Sequence, residues 1–261
     1  FGIPASGAVL HTLNLRLHAE DIAFIAEHAE DRIVIVDDIL LPLLQEVLEH
    51  YRFERIIVLN YGGEAHPHED YDAFLASAPD TVPLPELREE WAAGMCYTSG
   101  TTGRPKGVVY GHRSSVLHAL GASLPDAFAL SCRDTCVPVV PMFHAMAWGL
   151  PHCAAATGAR LALPGPYLDG ASLLDLFQDT GTTLTAGVPT IWMSVLRELQ
   201  AQPHRWTLQA GLRMVVGGSA TPPSLVEALR DFDMQIIAAW GMTETSPLCS
   251  VAQLRPELDT R

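Results

Sequence analysis

The stretch Tyr97-Thr98-Ser99-Gly100-Thr101-Thr102-Gly103-Arg104-Pro105-Lys106-Gly107 begins where an apolar, strand-like run ends, and it sets hydroxyls, small residues and one lysine in a row. Gly100, Gly103 and Gly107 open backbone angles closed to residues with a Cβ, so several main-chain N–H groups can converge on one anion. Thr98, Ser99, Thr101 and Thr102 add hydroxyl donors, and the Lys106 ammonium is a point charge suited to phosphate oxygens. A loop of this composition is built to hold phosphate. Its spacing is neither that of the P-loop, which needs G-x-x-x-x-G-K-[ST], nor that of the dinucleotide fingerprint G-x-G-x-x-G.

Outward from this loop, short β-branched runs alternate with helix-like segments. Strands are expected at 32–36, 55–59, 94–98, 135–140, 160–163, 182–186, 212–216 and 235–239, and helices at 19–29, 41–51, 114–128, 147–156, 172–179, 190–200 and 222–232. Alternation of this kind predicts an α/β fold with helices packed on mostly parallel sheets. In the last of these helices Thr221 is expected to cap the first N–H groups, Pro222 to open the first turn, and Leu225, Val226, Leu229 and Phe232 to share one face. That places Gly217-Gly218-Ser219-Ala220 between a strand end and a helix start, where ligands bind in open α/β sheets. Trp240 to Glu244 likewise follows a strand. The region 60–90, rich in proline, glycine and acidic residues, reads as a surface excursion.

Composition narrows the function. With 48% hydrophobic and 18% charged residues over 261 positions, the chain is ordinary for a globular protein. A formal net charge of -14 argues against a broad surface for a nucleic acid polymer. The most apolar region, 137–163, is interrupted by prolines, His144, His152 and Arg160, so no transmembrane segment is expected. Cys96, Cys132, Cys136, Cys153 and Cys249 are odd in number, lack C-x-x-C and zinc spacing, and fit reduced thiols of a cytoplasmic protein. No G-x-S-x-G nucleophile elbow is present.

The run from Thr98 to Gly107 resembles the phosphate-loop signature of the adenylate-forming superfamily, which includes acyl-CoA synthetases, luciferases and the adenylation domains of peptide synthetases. Three further segments follow in the family's order. Pro141-Met-Phe-His-Ala-Met-Ala-Trp148 resembles the acyl-site motif, Val216-Gly-Gly-Ser-Ala220 the adenine-side loop, and Trp240-Gly-Met-Thr-Glu-Thr245 the third nucleotide motif. The wording is most similar to bacterial medium- and long-chain fatty acyl-CoA synthetases, especially at 140–148, 163–166 and 185–190, and the likeness runs from about His11 to the C-terminus.

The resemblance implies part of the large N-terminal domain of an adenylate-forming enzyme, with an upstream segment and a small C-terminal domain absent from residues 1–261. Residues 1–261 alone are then expected to turn over poorly or not at all. The implied activity of the intact protein is that of an ATP-dependent fatty acid-CoA ligase for medium or long chains. A fatty acyl-AMP ligase, an aryl- or other acid-CoA ligase, and a non-catalytic nucleotide-binding module are the alternatives. The reaction joins two anions: a carboxylate attacks the α-phosphate of ATP, pyrophosphate leaves, and CoA then takes the acyl group, so the site must neutralise charge and align oxygens.

Thr98, Ser99, Gly100, Thr101, Thr102, Gly103 and Lys106 are expected to hold phosphates. Gly217, Gly218, Ser219 and Ala220 lack bulk and leave room for adenine, with Trp240 as its aromatic partner where the family more often has tyrosine. Gly241, Met242 and Thr243 continue the nucleotide site, Thr243 toward the α-phosphate. By resemblance, Thr98 and Glu244 help hold Mg2+, and Lys106, Thr243 and Glu244 are the catalytic set. Also by resemblance, His144 lies beside the substrate carboxylate and Trp148 gates the acyl tunnel, swinging when ATP binds. Met142, Phe143, Met146, Gly187, Val188, Trp192 and Gly218 complete an acyl site suited to an alkyl tail; no aspartate lies between Pro138 and Pro151 to pair an amino group. The resemblance leaves a homodimer of the intact protein open.

Overall fold

The computed structural model describes residues 1–63, 65–98 and 103–252, and the chain divides into two compact units, 1–109 and 110–261. The first unit runs α1 (Gly2–Ala5), β1 (Leu10–His11), α2 (Ala19–Ala29), β2 (Ile33–Asp37), α3 (Leu41–Leu48), β3 (Arg55–Leu59), β4 (Glu69–Asp70), α4 (Tyr71–Ala76) and β5 (Ala92–Thr98), and enters β6 (Lys106–Gly111). One sheet has the order β2-β3-β4, all parallel, and the other the order β1-β5-β6. α2 buries Ile22, Ala23, Ile25 and Ala26, the one-sided spacing of a helix laid on a core. It stops at Glu30, whose left-handed backbone lets Asp31 N–H reach back to Ala26.

The strands flanking the phosphate-loop segment approach closely. A Cβ on Gly107 would lie 3.0 Å from the Tyr97 ring, so any other residue there would have to push that ring aside by a few tenths of an ångström. Tyr97 is pinned in turn, its hydroxyl 2.6 Å from His28 Nδ1 on α2. The excursion at 60–90 is more structured than its composition suggested. Glu69–Asp70 adds an edge strand to β3, and the Asp70 carboxylate accepts from Ala73 N–H at 2.9 Å to cap α4.

The second unit holds α5 (His112–Ser123), β7 (Thr135–Pro138), a turn at Ala145–Trp148, α6 (Leu150–Thr157), β8 (Arg160–Leu161), α7 (Gly170–Thr180), β9 (Leu184–Gly187), α8 (Pro189–Ala201), β10 (Leu212–Val216), α9 (Pro223–Arg230), β11 (Met234–Gly241), a 3-10 turn at Thr243–Thr245 and β12 (Leu248–Ala252). Its sheet has the order β12-β11-β10-β9-β7-β8, parallel throughout except for β12 on the edge. Alternate residues of β10 face opposite layers. Met214 and Val216 pack with Leu173, Phe177, Trp192 and Leu229, while Val215 packs with Phe128, Leu150, Cys153 and Ile237. A strand covered on both faces reads as a continuous apolar run, and each of these large side chains contributes about 1.5–3 kcal/mol by leaving water.

Three expectations move. α5 ends at Ser123 rather than 128, because Pro125 forces Leu124 into an extended conformation. Thr221 does not cap α9: the helix opens at Pro223 after Pro222, and neither proline has an N–H to cap. The helix expected at 147–156 is broken at Gly149, and what precedes the break has the opposite hand.

Candidate functional site

The carboxyl ends of β7, β9, β10 and β11 lie on one edge of the second unit's sheet, and the segments that leave them surround a cavity of about 250 Å³. His144, Ala145 and Trp148 come from the segment after β7, and Val188 from the turn after β9. Gly217 and Gly218 follow β10. Ala239 to Thr243 and Pro247 to Leu248 form the opposite wall. Among these lining residues only His144 and Thr243 have polar side chains beyond the Trp N–H groups, so the cavity is an apolar slot with polar groups at its rim.

The segment after β7 is strained. Ala145, Met146, Ala147 and Trp148 have φ of 43°, 54°, 51° and 54°, and Gly149 continues the series at 72°. This is a left-handed helical turn, closed by Trp148 N–H to the His144 carbonyl at 3.4 Å and Gly149 N–H to the Met146 carbonyl at 2.9 Å. Left-handed geometry costs roughly 1–2 kcal/mol per residue with a Cβ. Burial of Ala145, Met146 and Ala147 offsets it. The four-residue spacing of His144 and Trp148 therefore does not stack them as a right-handed helix would. Both still line the cavity.

Trp148 lies across the glycine pair. A Cβ on Gly217 would sit 3.1 Å from Trp148 Cη2 and 2.9 Å from the Ala239 carbonyl, and one on Gly218, at φ 79°, would sit 3.8 Å from Trp148 Cζ2. The glycines are small here because an indole already covers them. The second aromatic, Trp240, is 59% exposed on the facing strand and also lines the cavity.

Beyond Trp240 the strand pairing shifts register and the chain enters the 3-10 turn. Met242 N–H donates to the Pro247 carbonyl at 3.1 Å and to Thr245 Oγ1 at 3.0 Å, folding the turn back on itself. The buried Tyr110 hydroxyl donates to the Thr243 carbonyl at 2.7 Å. Leu248 N–H points to Nε2 of His118 on α5 at 3.4 Å. Burial lowers the His118 pKa to about 4, and His152 on α6 is shifted the same way for the same reason.

The structure thus brings together His144, Trp148, Val188, Gly218, Trp240, Gly241, Met242 and Thr243. It places others elsewhere. Ser219 and Ala220 line a neighbouring, more open concavity of about 490 Å³ beside Glu227 and Arg230 of α9. Trp192, expected at the acyl tail, is 0% exposed in the core, its ring against Gly187 and its Nε1 without a partner. Phe143 and Met146 are buried and do not line the cavity. Glu244 is exposed on its turn. Thr98 ends β5 and Lys106 begins β6 in the first unit, and Gly103 precedes it, while Ser99, Gly100, Thr101 and Thr102 lie outside the described residues. No group of three or more metal-ligating His, Cys, Asp or Glu occurs among the described residues. Tyr110, His118, Phe128 and Pro247 were not expected at the site, and a lone Tyr or His on an apolar strand or helix gives no signal of its own.

A match to the family described as AMP-binding enzyme covers residues 1–261. The chain belongs to the AMP-binding enzyme family. It is 46% identical over 248 residues to a long-chain-fatty-acid-CoA ligase of Thermus thermophilus, covering 95% of this chain and 45% of that protein. It is 42% identical over 260 residues to a 3-methylmercaptopropionyl-CoA ligase of Ruegeria pomeroyi, covering 97% and 48%. Among solved structures, a long-chain-fatty-acid-CoA ligase from Archaeoglobus fulgidus superposes with a TM-score of 0.82 at 25% identity, over 94% of this chain and 49% of that one. The chain spans about half the length of the curated relatives it matches. In this AMP-binding chain the α/β architecture with mostly parallel sheets stands as expected.

Proposed function

We propose that the full-length protein is an ATP-dependent fatty acid-CoA ligase for medium- or long-chain acids, of which this chain is part of the large domain. The observation that carries the reading is the cavity in which His144 and Trp148 of the acyl motif face Trp240 to Thr243 of the nucleotide motif across apolar walls. Trp240, exposed and beside glycines, offers an aromatic face for adenine. Thr243 supplies a hydroxyl at the rim for the α-phosphate, and His144 is the polar group of the acyl wall. The carboxylate attacks the α-phosphate, pyrophosphate leaves, and the acyl-adenylate then passes its acyl group to the CoA thiol, releasing AMP. In such a reaction Lys106 and the hydroxyls after Thr98 serve the β- and γ-phosphates.

Glu244 carries an exposed carboxylate and Thr98 a hydroxyl, the hard oxygen donors that suit Mg2+. A magnesium ion would neutralise phosphate charge when bound. No helix among the described residues is long and apolar enough to cross a membrane. Cys136 and Cys153 are buried reduced thiols, which supports placing the protein in the cytoplasm, with a homodimer as its assembly to be tested.

The test is fatty-acid-dependent exchange of labelled pyrophosphate into ATP by the full-length protein, with alkanoic acids of graded length, 3-methylmercaptopropionate and an aryl acid in parallel. Lys106→Ala and Glu244→Ala are each expected to slow exchange about 10²- to 10³-fold while leaving fatty-acid binding nearly unchanged, because each removes one preorganised charge partner. Exchange rates within twofold of wild type in both variants would contradict the assignment.

A further inference from the structure

His118 stands on α5, away from every motif that pointed to chemistry, yet its imidazole touches both walls of the cavity. On one side Nε2 faces Leu248 N–H at 3.4 Å. Leu248 follows Pro247, whose carbonyl holds Met242 N–H at 3.1 Å, so this contact steadies the start of the Met242 to Thr245 turn. On the other side the ring lies against Gly149, where a Cβ would come within 2.5 Å of Nδ1. Gly149 closes the left-handed turn that carries Trp148 and follows His144. Nε2 can accept a hydrogen bond only while it has its lone pair. Burial keeps the ring neutral down to about pH 4 and so keeps the acceptor, with His152 of α6 as the neighbouring titratable group.

The geometry points to His118 as a positioning residue that ties the acyl-side turn to the nucleotide-side loop, so that a displacement of either wall is felt by the other. This rests on the adenylating activity proposed above. His118 does not itself line the cavity. It sets the separation of the two segments that do, and in a packed interior a shift of one is transmitted to the other through the ring.

The test perturbs one wall and reads the other, using pyrophosphate exchange by the full-length protein. Gly149→Ala presses a methyl onto the ring from the acyl side and is expected to raise the KM for ATP at least fivefold, as well as the KM for fatty acid. His118→Leu, which removes the acceptor, is expected to raise both KM values at least fivefold. His118→Gln, whose Oε1 can take the place of Nε2, is expected to return the KM for ATP to within about twofold of wild type. A purely structural role would lower the melting temperature of the Leu and Gln variants alike without splitting their KM values. If His118→Leu does not fold, Gly149→Ala and His118→Gln still decide the matter. Gly149→Ala changing the fatty-acid KM alone, or His118→Gln failing to recover ATP binding in a folded protein, overturns the linkage. Robust wild-type exchange with insensitive variants overturns only His118's role, whereas no wild-type exchange with any acid overturns the functional reading and this role with it.

Discussion

Gly241→Ala is the sharpest perturbation of the cavity wall built by Ala239 to Thr243. A Cβ at this position would lie 2.1 Å from the Pro247 carbonyl oxygen, 2.9 Å from its carbon and 3.1 Å from Leu248 Cα. Ordinary contact needs more than 3 Å, so the Pro247 carbonyl must move by roughly 1 Å in a close-packed region. That carbonyl accepts Met242 N–H at 3.1 Å, and the shift breaks the bond that folds the turn back. Overpacking costs about 1–3 kcal/mol and the lost hydrogen bond about 0.5–1.5 kcal/mol, giving a destabilisation of about 2–4 kcal/mol. Thr243 and Glu244 follow Met242 directly, and a misplacement near 1 Å costs on the order of 10²-fold in rate. The assay is urea denaturation followed by tryptophan fluorescence, alongside pyrophosphate exchange in the full-length protein. Gly121→Ala is the control: it lies exposed in α5 with nothing within 4 Å of its Cβ, and should be neutral or stabilising by up to about 1 kcal/mol. A Gly241→Ala protein with an unchanged urea midpoint and exchange within twofold of wild type would refute the reasoning.

Acid should destabilise the fold through its half-buried histidines His118 and His152. His118 has a folded-state pKa of about 4 against an ordinary 6.5, so the unfolded chain binds the extra proton and stability falls as pH drops through that window, by up to about 3 kcal/mol. His152 adds to the same slope. Urea midpoints between pH 7 and pH 4.5 should fall less steeply for His118→Leu than for wild type, and parallel slopes would show that the ring is not held neutral. Trp148→Ala should weaken the dependence of fatty-acid binding on prior ATP, since the indole covers Gly217 and Gly218 where adenine is expected. Fatty-acid binding with and without a non-hydrolysable ATP analogue checks this, and equal ATP dependence in variant and wild type would leave Trp148 as packing.

Much of the frame was legible because its signals are local. β2, β3 and β10 are short runs dominated by Val, Ile, Leu and Met, and they fall within a residue of where their periodicity puts them, although only β10 is buried along nearly its whole length. What stayed hidden depends on partners distant in sequence. β12 is an antiparallel edge strand whose pairing with β11 shifts at Gly241, and its half-exposed sequence carries little alternation. Trp192 shows the opposite error. It stands beside a motif, but its place on α8 turns it into the core, and helical phase rather than proximity decides which side chains reach a cavity.

The turn at Ala145–Trp148 could not have been read from composition at all. Alanine and methionine are good formers of right-handed helix, and Pro151 suits the first turn of the helix that follows, so apart from Gly149 the local preferences point to a right-handed segment. The chain instead winds left-handed from Ala145 through Gly149 and turns right-handed only at Leu150. A choice against intrinsic preference persists only where packing over-determines it, and such choices cluster where a protein positions chemistry. Here the constraints are visible. Met146 and its neighbours are buried, Gly149 is pressed against His118, and the Trp148 ring covers the glycine pair after β10. The last two tie the turn to α5 and to the end of β10. Strain in the turn and order in the opposite wall of the cavity are thus set by the same few residues, and the hand of one short turn fixes how His144 and Trp148 present themselves to the cavity.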